Sequence, residues 1–123
     1  MIRGTVNART EAVIPIRILA FDGIAIEVDA ILDTGFTVSL TLPDSLIASL
    51  GLSRRAGSRA FLADGSSKSC GVYAAQVEWD GLQREVLVSA LGGEALLGMR
   101  LMDGYELRIE ISQGGGVELR RMP

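Results

Sequence analysis

The chain has 123 residues, 48% of them hydrophobic, with a mean hydropathy of +0.32, which suits a folded protein with a modest core rather than a disordered one. It has no histidine and a single cysteine, Cys70, so Ser-His-Asp and Cys-His catalysis, His-ligated zinc and internal disulfides are excluded. The net charge of −3 and pI near 4.9 offer no broad attraction for nucleic acid, and no apolar stretch approaches the roughly 20 residues that span a bilayer.

Arg3 and the polar residues after it lack the pattern of a secretory signal. One domain over residues 1–123 is expected, cytoplasmic and without nucleic-acid or membrane partners. In chain order, Ile14, Ile16 and Ile18 alternate before Asp22-Gly23, and Ile24, Ile26, Val28 and Ala30 alternate after it. This period of two predicts strands. Pro15 lacks an amide donor and predicts an edge or a bulge. The apolar run from Val28 to Leu32 ends at Asp33-Thr34-Gly35, and a second run, Val38 to Leu42, follows.

Pro43 to Leu50 predicts a short helix with proline at its first position and Gly51 as a left-handed stop. Asp64-Gly65 and Asp80-Gly81, like Asp22-Gly23, have alternating flanks and predict type I′ hairpins, in which both central residues need positive φ. Tyr73, Ala75, Val77 and Trp79 lead into the third pair, and Leu82, Arg84, Val86 and Val88 leave it. A short helical turn is expected over Met99 to Asp103. Final strands are expected over Leu107 to Ile111 and Val117 to Arg120, separated by Gly114-Gly115-Gly116. The sum is a mainly β, closed barrel with one or two short helices.

Most isolated features have a plain structural reading. Cys70 suits a small buried apolar residue, since no base accompanies it. The arginines at 54, 55, 59, 120 and 121 suit a solvated surface. Asp22, Asp29 and Asp33 lack the spacing of a calcium loop, and no metal or cofactor is expected. Gly114 to Gly116 lack the spacing of a phosphate loop. Asp33 is different, because a strand delivers its carboxylate onto a tight glycine turn.

Three features follow one another in a telling order. After Asp33-Thr34-Gly35-Phe36 comes Leu62-Ala63-Asp64-Gly65-Ser66, a polar hairpin tip, and then Leu96-Leu97-Gly98, whose glycine lies 65 residues after Asp33. This order, over roughly Ala12 to Ile111, resembles the retropepsin-like (clan AA) aspartic proteases. The Asp-Thr-Gly-Phe variant, with Leu40-Thr41-Leu42-Pro43 after it, is similar to a prokaryotic single-domain branch.

The resemblance implies an acid-protease barrel and an endopeptidase that uses neither metal nor cofactor. Asp33 would be the catalytic carboxylate and Thr34 a cross-subunit hydrogen-bonding residue. Gly35 would bring its amide close to the carboxylate, and Ala63, Asp64, Gly65 and Ser66 would form a flap over peptide substrate. Leu96, Leu97 and Gly98 would thread beneath the catalytic turn as structural support. The chain carries one such motif, and the family's chemistry needs two carboxylates, so a homodimer with a two-fold axis at the site is implied. Ile2 to Val6 and Val117 to Arg120 are candidates for an intersubunit sheet.

Phe36 departs from the usual small residue after the glycine. It cannot hydrogen-bond a carboxylate, and it supports an alternative reading, a non-catalytic dimeric barrel that binds peptides or acts as a scaffold.

Overall fold

A computed structural model describes residues 1–61, 63–91 and 93–123, without the side chains of 58–61, 68 and 69. Its ten strands are β1 (Ile2–Val6), β2 (Ala12–Leu19), β3 (Ala25–Leu32), β4 (Leu40–Leu42), β5 (Ser53–Phe61), β6 (Ser67–Trp79), β7 (Leu82–Ala90), β8 (Leu96–Leu97), β9 (Tyr105–Ile109) and β10 (Gly116–Arg121). The one helix among the described residues, α1, spans Asp44–Leu50.

Strand order is β5-β6-β7-β4-β8-β3-β2-β1-β10-β9, and an added β6–β2 pairing closes six of these strands into a barrel. Closure occurs at the far end of β2, where Arg17, Ile18 and Leu19 oppose Glu78, Val77 and Gln76. The alternation read in the sequence is the reason these strands can close. Ile14, Ile16 and Ile18 from β2, Ala75, Val77 and Trp79 from β6, and Val86, Val88 and Ala90 from β7 all point inward and are buried. Trp79 also meets Tyr105 edge-to-face, with ring centroids 5.9 Å apart.

Pro15 sits in a strand that pairs continuously with β3 and without a bulge. On its other side, β2 pairs only at residues 12–13, with β1, and at 17–19, with β6. Proline therefore occupies the local edge between those two segments, where a missing donor is tolerated.

Several expectations need correction. Only Asp80-Gly81 has positive φ at both positions, 52° and 82°. There Trp79 opposes Leu82 directly, as in a two-residue turn. At Asp22-Gly23 and Asp64-Gly65 the glycine alone is left-handed, and each aspartate instead accepts the amide two residues on, from Ile24 and Ser66. A side chain that mimics a backbone turn removes the need for a second positive φ.

Pro43 is the N-cap of α1 rather than its first residue, in extended conformation with φ −61° and ψ 146°. Gly51 ends the helix at φ 63° and lies against the Phe21 ring, where a Cβ would come within 2.5 Å. Met99 to Asp103 forms hydrogen-bonded turns rather than a helix, with Met102 N–H donating to Met99 O at 3.1 Å. The strand expected at Leu107 to Ile111 begins and ends two residues earlier, at Tyr105–Ile109.

The terminal strands pair within the chain. β1 and β10 pair with each other, Ile2 opposite Leu119 and Gly4 opposite Val117. β10 also pairs with β9, and β1 with β2. Ile2 to Val6 and Val117 to Arg120 are thus joined within the chain, and among the described residues the strands at the two ends of the sheet are β5 and β9.

Candidate active site

Asp33 follows directly on β3 at the point where that strand runs parallel to β8, Ile31 opposite Leu96 and Leu32 opposite Leu97. Its amide donates to Leu97 O at 2.9 Å. The chain then turns, and Gly35 N–H donates back to Asp33 Oδ1 at 2.8 Å. A Cβ on Gly35 would sit 3.0 Å from that oxygen, so the bare glycine keeps both the bond and the approach open. Phe36 N–H donates to the Asp33 carbonyl at 3.3 Å and closes the turn.

β4 then returns on the other side of β8, antiparallel to it, with Leu40 opposite Leu97 and Thr41 opposite Leu96. The two-residue strand β8 is therefore held between the segment that enters the Asp33 turn and the segment that leaves it. Gly98 N–H donates to Ser39 O at 3.0 Å, and Met99 N–H to Phe36 O at 2.8 Å. A Cβ on Gly98 would lie 1.9 Å from the Val38 carbonyl oxygen. Only glycine permits this crossing. Asp33, Gly35, Phe36, Leu97 and Gly98 thus come together in one backbone knot.

No family model matches the chain, and no curated protein does. Among solved structures, a retropepsin-like aspartic protease from Rickettsia conorii superposes with a TM-score of 0.63 over 99% of this chain and 91% of that one, at 13% identity. The fold is retropepsin-like. At such identity the likeness is one of backbone architecture, and what this retropepsin-like barrel does rests on its own residues.

Thr34 and Gly35 are exposed and Asp33 is half-buried, so the turn presents its tip to solvent. Two clefts flank it. One, of about 340 Å³, has Asp33 and Thr34 in its wall with apolar Leu32, Ile109 and Ile111. The other, of about 270 Å³, sets Thr34 among Met99, Met102, Tyr105 and Leu107. A larger cleft, about 500 Å³, lies on the barrel flank between Val28, Pro43 and Leu46 and does not include Asp33.

Ala63, Asp64, Gly65 and Ser66 lie elsewhere, exposed at the tip of the β5–β6 hairpin. Leu62 of the same tip is outside the described residues. Asp64 bonds within the tip: its Oδ1 accepts the Ser66 hydroxyl at 2.5 Å and the Ser66 amide at 2.9 Å. The hydroxyl, then the amide, hold the Asp64 carboxyl below the usual carboxylate range.

Among the described residues no group of three or more His, Cys, Asp or Glu side chains is placed to hold a metal, and no helix is long and apolar enough to cross a membrane. Cys70 is buried.

Sequence reasoning assigned no role to Thr41 and Ser39, the two buried polar residues beside the site. Thr41 Oγ1 accepts the Leu96 amide at 3.1 Å, which ties β8 to β4. The available signal was a hydroxyl between two leucines in an otherwise apolar run. A buried polar group needs a partner, and here the partner lies 55 residues away.

Proposed function

We propose that the chain is a homodimeric aspartic endopeptidase whose active site is formed by Asp33 from each of two copies. One observation carries the reading: an Asp33 carboxylate accepting Gly35 N–H on an outward-facing turn locked from beneath by Leu97 and Gly98, in a fold shared with a solved aspartic protease. A strand end knotted so closely around one carboxylate is costly to build for a surface charge.

The chain has one Asp-Thr-Gly, and its exposed Thr34 tip suits a meeting with the same tip of a second copy. Two carboxylates brought together this way share a proton, because like charges in contact cannot both ionise. The ionised member takes a proton from water as the oxygen attacks the scissile carbonyl carbon. The protonated member donates to the carbonyl oxygen. In the collapse of the tetrahedral diol, one hydroxyl gives its proton to the ionised member of the dyad as the C–N bond breaks, and the protonated member gives its proton to the departing amine. Neither a covalent enzyme intermediate nor a metal enters this scheme.

The Ala63-to-Ser66 tip would serve as a flap that excludes water over an extended peptide, bound by main-chain hydrogen bonds and alternating side-chain pockets. Phe36 is half-buried, and its main chain bonds both Asp33 and Met99. It serves the turn through its backbone, so a small side chain at this position is not required for the turn to close.

The test is cleavage of unfolded casein between mildly acidic and neutral pH, with and without a statine-type inhibitor, by the wild type and Asp33→Asn. Asn keeps the shape and the Gly35 bond but cannot ionise. Cleavage by the wild type, lost in a folded and still dimeric Asp33→Asn protein, is the expected result. Undiminished cleavage by Asp33→Asn overturns the reading. A dimer that binds peptide without cleaving it identifies the barrel as a binding module.

A further inference from the structure

The barrel has a mouth beside the β6–β7 hairpin, and charge stands there in a row that is otherwise apolar. Residues 84, 86 and 88 of β7 share one face of the strand, and Val86 and Val88 are buried in the core. Arg84 belongs to that inward row and lies opposite Val77, a fully buried residue of β6. It is exposed, because the barrel opens to solvent at this point. Arg84 shares a cleft of about 430 Å³ with Trp79, Leu82, Tyr105, Arg121 and Met122. The mouths of β-barrels are recurrent sites for small ligands.

The side chains around the cleft name the chemistry it would take. Arg84 forms no ion pair among the described residues. Arg121 lies over the Tyr105 ring, 5.9 Å from its centroid, and donates to the Tyr105 hydroxyl at 3.4 Å, so it too lacks a carboxylate in contact. Two acids are near. Asp103, in the cleft wall, forms an ion pair with neither arginine. Asp80 is engaged elsewhere: Oδ1 accepts the Met1 amine at 2.8 Å and Oδ2 accepts the Tyr105 hydroxyl at 3.0 Å.

A third donor is without a partner. The Trp79 indole N–H is buried and has no acceptor among the described residues, which is uncommon for a polar atom in a core. Leu82 and Met122, both exposed, add apolar surface beside it.

We propose that this mouth binds a small organic carboxylate with an aromatic or branched aliphatic body. The carboxylate lies between Arg84 and Arg121, whose planar forks match its two oxygens, and it brings the acceptor that the Trp79 N–H lacks. The body packs on Leu82, Met122 and the indole. An inorganic anion would leave the apolar wall uncovered, and a cation would meet two guanidinium groups. The site is distinct from the Asp33 turn and does not depend on the endopeptidase reading. It borders the Thr34 cleft through Tyr105 and Met122, which line both.

Trp79 is the one tryptophan of the chain, so a single indole N–H resonance in a proton–nitrogen correlation spectrum reports on the site. The probe is 3-phenylpropanoate, and its uncharged amide is the control. The acid is expected to shift the indole resonance saturably at millimolar concentration. The amide is expected to bind at least about tenfold more weakly, and so are Arg84→Gln and Arg121→Gln with the acid. Acetyl-dialanyl-phenylalanine with a free carboxylate separates two sources of the same group. Binding as tight as that of the acid assigns a peptide C-terminus and weaker binding assigns a free acid, and both uphold the site.

An indole resonance that neither probe shifts, an amide that binds as well as the acid, or undiminished binding by both arginine variants overturns the proposal. If a variant loses its fold, the wild-type spectra with acid and amide decide alone.

Discussion

Gly35 and Gly98 lie on either side of the same turn and differ in how strictly each must be glycine. Gly35 leaves room for an amide to meet a carboxylate, with 3.0 Å available to an added Cβ, which a small shift of the Asp33 side chain can accommodate. Gly98 faces a carbonyl oxygen 1.9 Å from the same imaginary atom, and a main-chain oxygen in a paired segment cannot turn aside. Gly98→Ala must therefore separate β8 from the chain leaving Asp33, breaking the Gly98–Ser39 and Met99–Phe36 bonds. Overpacking of this kind costs about 3 kcal/mol, so thermal unfolding of Gly98→Ala is expected on the order of 10 °C below wild type. A Tm within a degree or two of wild type would show that the crossing is looser than its geometry indicates.

At the scale of elements, β8 is two residues long and still organises the site, because it is held on both sides. Its bonds reach Asp33 on one flank and Thr41 on the other, and Gly98 just after it bonds Ser39. Thr41 is the most testable of these. Thr41→Val keeps the volume and leaves the Leu96 amide without its acceptor, costing about 1–3 kcal/mol, while Thr41→Ser keeps the bond. Chemical denaturation is expected to rank Ser well above Val. Equal stability of the two would show that the methyl group, not the hydroxyl, matters at this site.

The contrast between β2 and β8 shows what could be read beforehand. Ile14, Ile16 and Ile18 declare their inward face by alternation alone, as do the strands flanking Asp80-Gly81, because burial on one face of a strand follows its period of two. Leu96 and Leu97 show no period, being too short, and their place between β3 and β4 is set by partners far along the chain. Ile24 and Ile26 continue the alternation but are 63% and 38% exposed, since a pattern marks a face without marking where the barrel stops. The Asp33-Thr34-Gly35 turn was legible as a motif, while the unpaired edge of β9 depended on where β1 and β10 end up, which no local pattern states.

The whole molecule carries half of the proposed chemistry, and a shared site has a stoichiometric signature that a self-sufficient one lacks. If each dimer needs two Asp33 carboxylates, an Asp33→Asn chain that still associates is a poison rather than a bystander. With random exchange, adding an equal amount of Asp33→Asn to wild type puts half of the wild-type chains into mixed dimers, which have one carboxylate and cannot share a proton as the pair does. Casein cleavage is expected to fall to about half of that of the same wild-type chains alone, at concentrations where dimers persist. Larger excesses suppress it further, in inverse proportion to total chains. Additive activity with no suppression at any ratio would show that a single chain holds a complete site.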